Sequence, residues 1–250
     1  MLPILASLLL LADVSDAAEV LVDIGGRRLH MSCAGTGQPT VILEAGFGDS
    51  STTWTSVQPA IAEITRVCAY DRAGRGASDP DLRTEPRTGR SAVEDLHALL
   101  ASASEAGPYV LVGHSLGGAY VRLYAQRFPQ AVVGMVLVDA THEDQLLRRR
   151  AVGYSPPPLP SPRDNVERTD MLAVLDELRE ARWRAPIPLV VLAADRSEPG
   201  AYPGASAELV ARLDAVCWSC SANWQLGLPR GVSWLLMVVD TTSIGMPQSS

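Results

Sequence analysis

This 250-residue sequence predicts an α/β domain built on a mostly parallel sheet. Strand-like and helix-like segments alternate through its middle, the pattern of a sheet covered by helices. The strand-like segments are continuously apolar, as strands buried on both faces are. One of them runs directly into Gly113-His114-Ser115-Leu116-Gly117 and then into a helix.

Taken in order, the chain opens with an apolar run, Leu2 to Ala12, followed by the small-x-small pair Ser15 and Ala17. The run is shorter than the roughly 20 residues a membrane span needs. It reads as a signal peptide over residues 1–18, without a basic first region, and predicts a secreted or periplasmic protein. The expected strands are Val20–Ile24, Arg28–Cys33, Val41–Glu44, Arg66–Tyr70, Tyr109–Val112, Val133–Val138 and Leu189–Ala193. Helical periodicity marks Thr53–Glu63, Ser91–Ser102, Leu116–Arg127 and Asp170–Arg184. A long insertion from Thr141 to Ala185, with prolines at 156–158 and 160, reads as a cap or lid on the core of residues 19–216.

Composition narrows the partners. The net charge of -7 opposes nucleic acid binding, and no stretch after the leader is long enough to span a bilayer. All 21 basic residues are arginine, and clusters such as Arg148 to Arg150 read as solvated surface. Of the four cysteines, Cys33 and Cys68 end strand-like runs, and export makes a disulfide between them chemically reasonable; two buried thiols are the alternative. Cys217 and Cys220 form a C-x-x-C with no second pair or histidine nearby, so no metal site and no cofactor are expected.

The chemistry concentrates at Ser115. A serine on a strand-to-helix turn needs glycine on either side, because Gly113 and Gly117 keep Cβ atoms out of a tight turn. The turn lifts the hydroxyl above the sheet, and the helix N-terminus favours the negative charge that develops during acyl transfer. With these residues the segment from Glu19 to Asp214 resembles the serine hydrolases of the α/β-hydrolase fold. That resemblance implies a small-molecule substrate, an apolar ester, lipid or amide, and it extends to three further segments. Thr40 to Gly48 resembles the strand and loop supplying an oxyanion donor, with Ala45-Gly46 where relatives often have His-Gly. The implied donors are the backbone N–H groups of Phe47 and Leu116. Ala69 to Asp79 resembles the loop after the fourth strand, in which Asp71 and Arg72 brace the site. Pro188 to Arg196 resembles the turn carrying the catalytic acid, which gives that role to Asp195, with Asp139 as the substitute. The resemblance also makes the second and fourth strands neighbours, consistent with Cys33 pairing with Cys68.

The resemblance implies a histidine base late in the chain, after the acid. The four histidines are His30, His97, His114 and His142, and none follows Asp195. Residues 217–250 are odd in the same place: three of five Trp, two of four Cys, and neither Glu nor His. The family's last strand and helix are not recognisable there. Ordinary GC-rich codons for Val216–Ser250, read in a shifted frame, permit a G-H-x-x-H ending with its His codon across Asp240 and Thr241. A frameshift near Ala215–Cys217 would account for this. The expectation is a serine hydrolase impaired in this chain, or else a non-catalytic α/β-hydrolase-like binding protein or truncated pseudoenzyme.

Overall fold

A computed structural model of the protein describes residues 17–155, 158–181, 186–194, 202, 204–223 and 234–239. Of the leader expected over residues 1–18, residues 1–16 lie outside the described residues, as does Asp195, while Ala18 begins the first strand. Among the described residues eight strands form one sheet: β1 (Ala18–Asp23), β2 (Arg28–Ala34), β3 (Thr40–Glu44), β4 (Val67–Tyr70), β5 (Tyr109–His114), β6 (Val132–Val138), β7 (Leu189–Ala194) and β8 (Trp234–Val239). Their spatial order is β1-β2-β4-β3-β5-β6-β7-β8. The β1/β2 and β2/β4 pairs are antiparallel and the rest parallel. The helices are α1 (Gln58–Ala62), α2 (Gly89–Ser102), α3 (Leu116–Arg127), α4 (Gln145–Ala151), α5 (Met171–Ala181) and α6 (Ala207–Asn223).

Continuous apolar strands arise here because alternate residues serve two different cores. On β3, Ile42 joins the larger core, which α2, α3 and α5 cover, while Val41 and Leu43 join a smaller core with Trp54. On β4, Cys68 and Tyr70 face the first and Val67 and Ala69 the second. Side chains alternate faces along a strand, so burial on both sides leaves no position free to be polar. α2 begins with Thr88 as N-cap, its hydroxyl accepting from the Ser91 N–H at 3.3 Å in a reciprocal capping box. A disulfide joins Cys33 to Cys68, which are directly opposed in the β2/β4 pair.

Two expectations need correction. The single helix expected over Thr53–Glu63 is instead a short 3₁₀ turn, Ser51–Trp54, followed by the five-residue α1. Pro59 sits in the first turn of α1; its ring and missing N–H oppose helix continuing through it from Thr53 and suit a new start. The reading of 217–250 expected no last strand or helix. The structure extends α6 to Asn223 and adds β8 parallel to β7, from Leu189↔Trp234 to Ala194↔Val239. The apolar, partly β-branched run of β8 has the composition of a strand.

The insertion divides into unlike parts. Residues 165–170 are an anchor: Asn165, Glu167 and Thr169 are buried. Asn165 closes the loop by donating to the Thr169 carbonyl at 2.9 Å and accepting the Thr169 N–H at 2.9 Å. Arg87 docks it, donating its N–H to the Arg168 carbonyl while its own carbonyl accepts from Asp170, both at 2.9 Å. α4 instead packs towards α6, where Tyr154, Tyr202 and Leu213 make a separate small cluster.

Candidate active site

Ser115 occupies the junction between β5 and α3, with φ 50° and ψ −119°. A non-glycine residue with such a positive φ is strained by about 1–3 kcal/mol and persists only where its surroundings impose it. The surroundings do so through three backbone bonds. The Ser115 N–H donates to the Val138 carbonyl at 3.0 Å, and the Ser115 carbonyl accepts from Gly118 at 3.0 Å and Thr141 at 2.9 Å. The glycine requirement is steric. A Cβ on Gly113 would stand 2.7 Å from the Gly117 and Gly118 backbone, and one on Gly117 would stand 2.4 Å from the Glu44 carbonyl oxygen. The motif therefore fixes the close approach of α3 to the ends of both β5 and β3.

Phe47 lies on the loop leaving β3 and Leu116 is the first residue of α3. Neither backbone N–H donates to another described group. An N–H at the first helical position has no partner within its helix and is available to an anion. Gly46, beside Phe47, is crowded: a Cβ there would meet Asp49 Oδ2 at 2.8 Å and His114 Nδ1 at 3.0 Å.

The loop that carries Phe47 is held from beneath by buried ions. Arg72 donates from Nη1 to Glu44 Oε1 at 2.5 Å and to the Ala45 carbonyl at 2.8 Å. Its Nη2 reaches the Gly46 carbonyl at 2.5 Å and Glu167 Oε1 at 2.6 Å, and its Nε reaches Glu167 Oε2 at 2.8 Å. Glu167 Oε1 also accepts the Gly48 N–H at 2.6 Å. Tyr70 donates to the other oxygen of Glu44, and Arg75 donates to the Gly48 carbonyl. Burial raises the Glu44 carboxyl above the usual range, with Arg72 and Tyr70 only partly opposing it. Burial acts the same way on Glu167, but there the Arg72 guanidinium outweighs it and holds the carboxyl low. Asp71 is buried too, accepting the Ser51 N–H at 2.6 Å and the Ala77 N–H at 2.9 Å. Asp71 thus holds the Ser51 and Ala77 amides, and Arg72 the Ala45 and Gly46 carbonyls.

Glu44 and Glu167 were missed as the partners of Arg72. Glu44 had a signal: an acid ending the wholly buried run of β3 must find a cation. Glu167 had none, since its partner lies 95 residues away in sequence.

Asp139 follows β6 directly, with φ 41°, its N–H donating to the Leu192 carbonyl at 2.8 Å. It stays open to solvent at the strand end. Desolvation still raises its carboxyl, against the pull of His114 and Arg149. The four histidines are dispersed. On β2, His30 Nδ1 stands 3.0 Å from Asp71 Oδ2. On α2, His97 stacks on Phe128 with centroids 3.9 Å apart. His114 Nδ1 is 3.9 Å from Asp49 Oδ2. His142 is buried, its Nδ1 accepting the Asp144 N–H at 3.0 Å, and desolvation pushes its pKa down to about 4. Among the described residues, the one group of cysteine and carboxylate atoms close enough to suggest a metal, Cys33, Cys68 and Glu105, contains the disulfide. No helix among the described residues is long and apolar enough to cross a membrane.

Comparison with known proteins agrees with this geometry. The family model described as alpha/beta hydrolase fold matches residues 39–154, which include β3, the elbow and β6. The uncharacterized protein YqjL of Bacillus subtilis is 36% identical over 105 residues, 42% of this chain and 41% of that protein. An AB hydrolase superfamily protein of Gibberella zeae is 35% identical over 109 residues, 42% of this chain and 34% of its own length. The chain thus spans less than half the length of these curated relatives. Among solved structures, alpha/beta hydrolase domain-containing protein 10 from mouse superposes with a TM-score of 0.65 at 17% identity, covering 90% of this chain and 91% of that one. The 2-hydroxy-6-oxo-6-phenylhexa-2,4-dienoate hydrolase of Rhodococcus sp. strain RHA1 gives 0.60 at 19% identity, with the same coverage. At such identities these structures show a shared fold and nothing finer.

Proposed function

We propose that this chain, which shares the α/β-hydrolase fold and matches that family's model over residues 39–154, is a serine hydrolase acting on a small apolar ester, lipid or amide. Ser115 is the nucleophile, and the Phe47 and Leu116 N–H groups receive the oxyanion. The observation that carries this reading is the strained Ser115 backbone at a strand-to-helix junction, with the Phe47 and Leu116 amides donating to no other described group. In the reaction Oγ loses its proton as it bonds to the substrate carbonyl carbon. The carbonyl oxygen takes up the charge, the leaving alcohol or amine departs with a proton, and water then releases the acyl group. Asp195, or Asp139 in its place, is the acid that would orient a base.

None of the four histidines stands after Asp195, and His142, which follows Asp139, is buried with its Nδ1 accepting the Asp144 N–H, so on this reading proton removal from Ser115 is inefficient and turnover weak. Losing a triad member leaves a residual acceleration of about 10³–10⁴ over water from the oxyanion hole and binding. The same observation favours a second reading, an α/β-hydrolase-like binding protein without catalysis. The apolar leader and the Cys33–Cys68 disulfide support placing the protein outside the cytoplasm.

Covalent labelling by a fluorophosphonate, read by mass spectrometry, separates the two readings. Slow modification at Ser115 that disappears in Ser115→Ala supports the hydrolase, as does matching hydrolysis of a p-nitrophenyl ester. An unmodified Ser115 after prolonged exposure, with the probe active on a reference serine hydrolase, leaves the binding reading.

A further inference from the structure

We propose that Glu167, contributed by the insertion between β6 and β7, is a positioning residue for the oxyanion hole; this rests on the reading of the Phe47 amide as an oxyanion donor. The reason lies in peptide geometry. The C=O and N–H of one trans peptide point in opposite directions. Arg72 Nη2 holds the Gly46 carbonyl at 2.5 Å, and that carbonyl shares its peptide plane with the Phe47 N–H. Fixing one therefore aims the other away from Arg72. Glu167 fixes the next plane, which carries the Phe47 carbonyl, by accepting the Gly48 N–H at 2.6 Å.

Both restraints converge on one carboxylate. Glu167 receives the Gly48 N–H directly and grips Arg72 through both oxygens, at 2.6 and 2.8 Å. Arg72 in turn holds the Ala45 and Gly46 carbonyls. Glu167 is itself fixed at the centre of a chain of charges. Arg87 lies 3.5 Å from its Oε2 and 3.2 Å from Asp81, Asp81 lies 2.6 Å from Arg83, and Arg83 lies 3.0 Å from Asp95. Its backbone belongs to the anchored loop of residues 165–170, and its side chain is fully enclosed. A residue of the insertion thus sets the direction of an amide on the β3 loop, more than a hundred residues earlier in the chain.

The test compares the full-length parent with Glu167→Ala, Glu167→Gln and Val174→Ala. Val174 is buried on α5 and serves as a destabilised control remote from the β3 loop. Two readouts are taken: the fluorophosphonate inactivation constants, separated into maximal rate and half-saturating concentration, and amide hydrogen exchange over residues 45–50. For Glu167→Ala the expected result is a maximal rate lowered about 10²-fold, the scale of one lost oxyanion donor, with half-saturation within twofold of the parent. Exchange at Gly48 should quicken at least tenfold. Glu167→Gln, which keeps an acceptor for Gly48, should recover part of both, and Val174→Ala should show neither change. Unchanged exchange and unchanged maximal rate in Glu167→Ala would overturn the proposal, as would an equal loss in Val174→Ala. A parent that is not labelled at all refutes the hydrolase reading instead, and exchange alone then decides whether Glu167 orders the loop.

Discussion

Gly117→Ala sets two known effects against each other at the centre of the site. In a helix, alanine is favoured over glycine by about 1 kcal/mol, so the substitution in α3 should stabilise if space were free. Space is not free: the new Cβ would lie 2.4 Å from the Glu44 carbonyl oxygen and 2.6 Å from that of Ala45. Ordinary contact begins at 3.4 Å, so relief needs a displacement of 3.4 − 2.4 = 1.0 Å. Neither oxygen is loose. Glu44 ends β3, and the Ala45 carbonyl is held by Arg72 at 2.8 Å. Overpacking of this kind costs about 1–3 kcal/mol or more, and the backbone obstacle puts Gly117 at the upper end. The net expectation is a loss of about 2 kcal/mol in urea unfolding, with fluorophosphonate labelling of Ser115 slowed about 10²-fold by the displaced loop. Gly134→Ala on β6 is the control, because its Cβ would meet nothing closer than 3.5 Å; it should be neutral or slightly stabilising. A Gly117→Ala protein as stable as the parent and labelled as fast would refute the close-packed elbow.

Three other perturbations test separate parts of the argument. Ser115→Gly should abolish labelling and raise stability by about 1 kcal/mol, because relief of strain at φ 50° exceeds the extra chain entropy of glycine; a lower melting temperature would contradict it. Arg72→Met should cost about 3–5 kcal/mol in urea unfolding at pH 7, since it leaves Glu44 and Glu167 buried without their cation, and adding Glu44→Gln and Glu167→Gln should recover part of that. A loss under 1 kcal/mol for the single variant would show that the network is not needed. His142 has its folded pKa lowered from 6.5 to about 4, so the unfolded chain binds the proton first and stability falls as pH drops below 6.5. Its share of the loss between pH 7.5 and pH 5 is about 2 kcal/mol, and a His142→Gln protein should show a correspondingly shallower decline over that interval. Equal slopes would remove His142 from the account.

The elbow was legible because everything it needs is local. A buried strand, two glycines around a serine and a helix buried from Leu116 to Ala125 occupy one continuous segment, and the steric demand acts between neighbours. The strand set was legible for a related reason: runs such as Thr40–Glu44 and Val132–Val138 carry the mark of burial on two faces in their own composition. What could not be read was held together over distance. The partner of Arg72 sits in a loop of the insertion, and nothing around Val166, Glu167 and Arg168 marks that loop as interior rather than lid. The end of the sheet was missed for another reason. Trp234–Val239 has the composition of a strand, but it was weighed against a family pattern in which it did not fit. Pairing with β7 was available to it all the same.

The anchored loop of residues 165–170 bears on anyone who would exchange this insertion for that of another protein of the same fold. Such grafts treat everything between β6 and β7 as a detachable module. Here the downstream portion of that module is part of the chassis: Asn165, Glu167 and Thr169 are interior, and removing them would strip the β3 loop of its support. A transplant confined to the stretch before residue 161 would respect that boundary, and one that crosses it would discard the frame along with the roof.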